Sequence, residues 1–248
     1  MLPIIYITLP SFAVFAFIGA FFALLFVYFR IEKFNVKFVD MLKIFAVSAV
    51  GAYIGATILF VVTRTPWLIA NFSVDNLIRL ITRGGIVYYG GLFGVLLAIK
   101  MYAKFCRNNE RAIFKMITPA IPLFHSFGRI GCLMAGCCFG RSLPAPIIFN
   151  GVYIDRIPTQ AIESLFNLAI FFTIIFVEKR RNDWDSLRFY LLSYATFRFA
   201  IEFLRDDVAR GVFLTLSTSQ WISIGIIVYY LFKLLRKGRK EDLKGDAI

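Results

Sequence analysis

Charge is scarce in this sequence. Asp, Glu, Lys and Arg make up 17% of its 248 residues, against roughly a quarter in a soluble domain. With 59% hydrophobic content, that shortage excludes an ordinary water-soluble globule. Regular cysteine spacing is also missing. The four cysteines stand at irregular intervals, which excludes a disulfide framework. Cys132, Cys137 and Cys138 do not form two Cys-x-x-Cys knuckles, so no metal site is expected. No Cys-x-x-Cys redox motif occurs either, and small apolar packing is the plain reading of these thiols. Met1 to Pro10 holds no basic residue, and the uncharged run continues to Tyr28. That is too long for a signal-peptide core and reads as a retained span.

What fills the chain instead is a series of apolar runs. They predict an all-α integral membrane protein, one polytopic domain over 1–248, with about seven transmembrane helices of roughly 20 residues each. The spans fall at about 3–29, 42–62, 85–102, 112–139, 158–178, 184–204 and 221–235. Segment 63–84 is broken by Pro66, Asn71, Asp75 and Asn76 and reads as amphipathic and surface-lying. Loop 141–157 is proline-rich and weakly strand-like, with Asn150-Gly151 marking a hairpin turn. Residues 236–248 form a basic tail.

The net charge is +13, but its placement matters more than its size. With seven spans, nineteen basic residues fall on one side and nine on the other. The richer side is cytoplasmic, which puts the N-terminus outside and the C-terminus inside. Clusters flanking spans do not suit nucleic acid, and none is expected as a partner. Every lysine lies on the cytoplasmic side, and all nine basic residues of the outer half are arginines. Topology disfavours both types equally there. Phosphate recognition selects arginine, whose planar fork grips two oxygens; interfacial snorkelling is the competing explanation.

The stretch from Phe124 to Gly140 holds the only histidine, three cysteines and Arg129 in an apolar setting. Gly128, Cys132, Gly136 and Gly140 recur every four residues, a small-residue stripe suited to close helix approach. His125, Arg129 and Cys132 share one helical face. An arginine in such a place suggests a site. Arg198, Glu202 and Arg205 share a face of the sixth span, and Gln160, Glu163 and Asn167 share one on the fifth. Gly90 and Gly94 form a second close-packing pair, preceded by Tyr89. That phenol is either part of an interfacial aromatic belt or faces Arg129 across the contact.

Four stretches in order resemble the prolipoprotein diacylglyceryl transferase family. These are Tyr89-Gly90-Gly91-Leu92, Gly128-Arg129-Ile130-Gly131 with Gly136 and Gly140, Pro158-Thr159-Gln160 with Glu163, and Arg198 with Glu202 and Arg205. The chain departs from the family at Cys132, Ala135 and Cys137, where signatures place asparagine, asparagine and glutamate. It also has Tyr89 where many members have histidine. The resemblance implies transfer of diacylglyceryl from phosphatidylglycerol to the lipobox cysteine of a prolipoprotein, in the inner membrane. Its partners would be phosphatidylglycerol, prolipoprotein signal peptides and membrane lipid, with no cofactor or metal. By that resemblance Arg129 and Arg198 bind phosphate, Glu202 orients them and Arg205 sits at the mouth. Gln160, Glu163, Gly90 and Gly91 line the substrate site, and Tyr89 or His125 is the base. The alternatives are a family relative with another acceptor, an anion transporter, or a membrane thiol oxidoreductase.

Overall fold

A computed structural model describes residues 11–83, 85, 87–149, 152–181, 183–206 and 212–245, without the side chains of 83, 149, 152, 153, 212 and 237–245. Residues 3–10 of the expected first span, the Asn150-Gly151 turn and Arg210 lie outside the described residues. The chain is mostly helical. Helices α1 (Ser11–Tyr28) and α2 (Phe38–Thr63) are followed by short α3 (Thr65–Ala70) and α4 (Val74–Arg83). Then come α5 (Tyr88–Phe105), α6 (Glu110–Ile117) and α7 (Ala120–Met134), a hairpin of β1 (Ser142–Phe149) and β2 (Val152–Arg156), α8 (Thr159–Arg180) and α9 (Ser186–Ile201). A 3-10 turn at Glu202–Leu204, a small ribbon of β3 (Val212–Phe213) and β4 (Leu216–Ser217), and α10 (Thr218–Gly245) complete it.

The polarity is inverted relative to a soluble protein. Large apolar side chains face outward, among them Phe17, Ile69, Leu165 and Phe172. Gln160, Glu163 and Asn167 are fully buried. Lipid accepts the first set, and the second must find partners inside. Among the described residues, four helices are long and apolar enough to cross a membrane: Ser11–Tyr28, Phe38–Thr63, Thr159–Arg180 and Thr218–Arg236. The other three expected spans fall short for physical reasons. Lys100 and Lys104 interrupt α5. The fourth expected span is not continuous, because it breaks at Thr118-Pro119 into α6 and the 15-residue α7. The sixth stops after the 16 residues of α9. The last helix also continues through Gly245 instead of ending where the tail was expected.

Close packing lies elsewhere than the four-residue glycine stripe suggested. Gly90 and Gly94 of α5 pack against Gly51 and Gly55 of α2, so that the two backbones touch. A methyl group on Gly55 would run into the carbonyl of Gly90, and one on Gly51 would lie 2.6 Å from the carbonyl oxygen of Gly94. This is small-residue helix packing in which the backbone itself blocks any side chain. Gly55→Val is therefore expected to cost about 1–3 kcal/mol, lowering the melting temperature in detergent by roughly 5 °C.

In α7 the expected stripe does not form. A Cβ on Gly128 would touch nothing, and α1 meets Gly131 instead, through Phe12 and Phe15. The helix ends before Gly136, whose φ of +66° suits the residue just past a helix C-terminus. Gly140 serves neither helix. It pairs with Arg205 in an isolated β-bridge, and its amide donates to the Ile157 carbonyl at 2.9 Å. A Cβ there would lie 2.7 Å from the Leu204 carbonyl oxygen. The glycine thus lets the base of the β1–β2 hairpin cross the segment after α9.

At the far end of the bundle, Arg30 donates to Glu178 at 2.6 Å and to the Lys115 carbonyl at 3.0 Å. Its guanidinium also lies over the rings of Phe26 and Phe34. This pair ties the end of α1 to α8 and α6.

Candidate active site

The buried polar residues converge on one oxygen. Oε1 of Glu163 accepts from Arg129 at 2.9 Å, Arg198 at 2.8 Å and Arg205 at 2.5 Å. The glutamate is 1% exposed and each arginine 8%. Arg198 also pairs with Glu202 at 2.9 Å and reaches Ser219 Oγ at 3.4 Å. Among the described residues, three guanidinium groups and two carboxylates are gathered in a region shielded from water.

Each element delivers its residue for a local reason. Glu163 sits on the first turns of α8, which are pinned from below. Thr159 Oγ1 donates to the Cys138 carbonyl at 3.0 Å, Gln160 Nε2 to the Cys137 carbonyl, and Ser164 Oγ to the Ser126 carbonyl at 3.0 Å. These bonds fix α8 against α7, which carries Arg129. Arg198 comes from the last turn of α9. The helix does not continue to Arg205. It tightens into the 3-10 turn at Glu202, and Arg205 takes an extended conformation (φ −94°, ψ 149°). The Gly140 bridge and the bond from the Arg141 amide to the Leu204 carbonyl at 2.8 Å hold it there. The start of α10 is fixed by a capping box: the Ser217 amide donates to Gln220 Oε1 at 2.9 Å, and the Gln220 amide to Ser217 Oγ at 3.2 Å.

The predicted residues are thus brought together, with a different centre. Glu202 was expected to orient the arginines, but Glu163 is their common acceptor and Glu202 bonds Arg198 from the side. Arg205 was expected at a mouth and is buried instead. Its approach from an extended segment removes the shared helical face with Arg198. Gly90 and Gly91 lie at the α2–α5 packing and add no polar group.

Tyr89 does not face Arg129 across a glycine contact, because those glycines meet α2. Its hydroxyl lies 2.7 Å from Ser223 Oγ of α10. The neighbouring Tyr88 was not singled out from the sequence. Its ring stacks on His125 with centroids 3.7 Å apart, and its hydroxyl bonds that of Tyr190. Tyr194 meets both Tyr88 and His125 edge to face. The sequence carried a signal for these residues: Tyr190, Tyr194 and Arg198 recur at i, i+4 and i+8 on one face of α9. Ser219 and Ser223 form a similar pair on α10.

Several buried polar atoms around this cluster have no protein partner among the described residues: Arg129 Nε, His125 Nδ1, Gln160 Oε1 and Asn167 Oδ1. Leaving a buried polar atom unpaired costs about 1–3 kcal/mol, so their grouping is what a polar ligand would repair. The sulfurs of Cys132, Cys137 and Cys138 lie beside it, all within 4.8 Å of one another. Their uneven spacing along the chain concealed this grouping.

A family model for prolipoprotein diacylglyceryl transferase matches residues 1–236. The chain belongs to the prolipoprotein diacylglyceryl transferase family. Within that family it is similar to phosphatidylglycerol–prolipoprotein diacylglyceryl transferase 2 of Clostridium perfringens, at 33% identity over 207 residues and 78% of each chain. The corresponding enzyme of Clostridium tetani is 30% identical over 194 residues, covering 75% of this chain and 76% of its own. That of Streptococcus mutans is 28% identical over 222 residues, covering 85% and 84%. Membership in the diacylglyceryl transferase family selects the transferase reading over the transporter and oxidoreductase alternatives.

Proposed function

We propose that this protein transfers the diacylglyceryl group of phosphatidylglycerol to the cysteine thiol of a prolipoprotein signal peptide. The observation that supports it best is the buried cluster of three arginines converging on one oxygen of Glu163. In the reaction the cysteine sulfur attacks the glyceryl carbon that bears the phosphate. A C–S bond forms, the C–O bond to phosphate breaks, and glycerol-1-phosphate leaves. The thiol proton passes to a base and from there to solvent or product.

The phosphodiester enters with one negative charge, and the departing monoester gains another. Arginines held in place before the reaction stabilise that second charge as it develops. Arg129 and Arg198 are assigned to the phosphate oxygens, with Arg205 behind them and Glu163 keeping the three together. Gln160 and Asn167 offer the unpaired oxygens that glycerol hydroxyls would meet. Of the two candidate bases, His125 has an Nδ1 without a hydrogen-bond partner among the described residues, whereas the Tyr89 hydroxyl is engaged by Ser223. With seven passes of the inner membrane, the excess of basic residues on one side favours an N-terminus outside and a C-terminus inside.

The direct test mixes purified protein with labelled phosphatidylglycerol and a lipobox peptide. Label is expected to move to the peptide as a thioether, with glycerol-1-phosphate released in equal amount. No transfer under conditions where the Clostridium perfringens relative is active would reject the proposal.

A further inference from the structure

The three thiols beside Arg129 have no part in the transfer chemistry above, yet among the described residues they form a group of three side chains that could hold a metal ion. Cys132 is on the last turn of α7 and is buried, Cys138 is half-buried and Cys137 is exposed. All three sulfurs lie within 4.8 Å of one another. The chain reverses to achieve this. Gly136 and Cys138 both take positive φ, +66° and +64°, which folds residues 137 and 138 back over the end of the helix.

Cys138 has a side chain and adopts the left-handed region at some cost. The reversal is held from both sides. Cys137 Sγ donates to the Cys132 carbonyl at 3.6 Å. The carbonyls of Cys137 and Cys138 accept from Gln160 and Thr159 of α8.

We propose that Cys132, Cys137 and Cys138 bind one soft closed-shell cation, zinc(II) or copper(I), through three thiolates. Metal–sulfur bonds of about 2.3 Å require sulfurs about 3.8–4.0 Å apart, so small rotations of the two residues outside the helix close the site. Thiolate ligands select these ions over hard cations. A disulfide would use two of the sulfurs and leave the third unexplained. The exposed edge at Cys137 leaves a position open for water on zinc, or permits a three-coordinate copper site. Binding releases the thiol protons to solvent. It creates a complex of net charge −1 with zinc or −2 with copper(I). Arg129 lies beside that negative charge and partly offsets it, since its Nη1 already donates to Cys132 Sγ at 3.8 Å. A bound ion would fasten the loop between α7 and the Gly140 bridge.

The test uses the full chain in detergent, kept reduced with a phosphine and loaded separately with zinc(II) or with copper(I). After passage over a chelating resin, one metal per chain is expected by mass spectrometry of the ion. X-ray absorption should show three sulfurs at about 2.3 Å, with one added oxygen for zinc and none for copper. The double variant Cys137→Ser/Cys138→Ser is expected to lose at least tenfold in affinity. Loading wild-type protein with cobalt(II) should give thiolate-to-cobalt charge-transfer absorption, a readout that needs no variant to fold. Substoichiometric metal, a shell of only nitrogen and oxygen, equal binding by the double variant, or cobalt without charge transfer would each overturn the assignment. No outcome depends on lipid transfer, so failure here leaves the proposed activity standing.

Discussion

Glu163→Gln is expected to reduce diacylglyceryl transfer at least about a hundredfold and to lower stability by about 3–5 kcal/mol. One carboxylate oxygen accepts from Arg129, Arg198 and Arg205. Glutamine keeps the shape and removes the charge. Among the described residues, Glu202 is then the carboxylate left beside the three guanidinium groups, and their mutual repulsion is offset less. The amide nitrogen adds a donor where the arginines need an acceptor. The result is the uncompensated buried charge that makes a broken internal pair so much costlier than a surface one.

A second readout separates the electrostatic role from general damage. If the deficit is missing negative charge, an anion that enters the cluster restores it. Glycerol-1-phosphate is expected to raise the melting temperature of the variant more than that of wild type, since a ligand stabilises in proportion to its preference for the folded form. A neutral glycerol control should raise neither. Wild-type activity and melting in Glu163→Gln would show that the carboxylate does not organise the arginines.

Much of this site was readable before the fold. The arginines that stand apart from any lysine, and the glycines flanking Arg129, marked residues that the fold gathers into one buried cluster. Helical periodicity placed Gln160, Glu163 and Asn167 on one face, and all three are buried together. What periodicity could not supply was the centre. Spacing along one helix pairs Arg198 with Glu202 and Arg205. The contacts that gather the cluster around Glu163 instead cross 34 to 42 residues of chain.

The end of α9 was misjudged for a related reason. A polar run at a helix terminus looks helical until a backbone partner captures it, and that partner is Gly140. The glycine stripe failed in the same way: spacing shows that residues are small, not whether the helix reaches them. Gly136 and Gly140 lie past its end. The number of spans was harder still. The helices that carry the site spend apolar positions on arginine, histidine and tyrosine, so α7 and α9 are shorter and more polar than free-standing spans.

Arg198→Lys is expected to lower kcat about a hundredfold or more while changing KM far less. Lysine preserves the charge and most of the stem. It loses the planar fork by which Arg198 reaches Glu163 through Nη1 and both Glu202 and Ser219 through Nη2. A single ammonium cannot hold that geometry and also present a second donor to a phosphate oxygen. The diester ground state carries one charge and needs little of this; the transition state, in which the C–O bond is breaking, needs most of it. An interaction made mainly in the transition state appears in kcat. Arg129→Lys should behave alike, because Arg129 contacts the same carboxylate from α7. On the proposed mechanism the two act on one phosphate as a unit, so changing both arginines should cost less than the product of the single losses. Rates within about twofold of wild type for Arg198→Lys, or a loss confined to KM, would place the phosphate elsewhere and leave Arg198 a structural tie between α8 and α9.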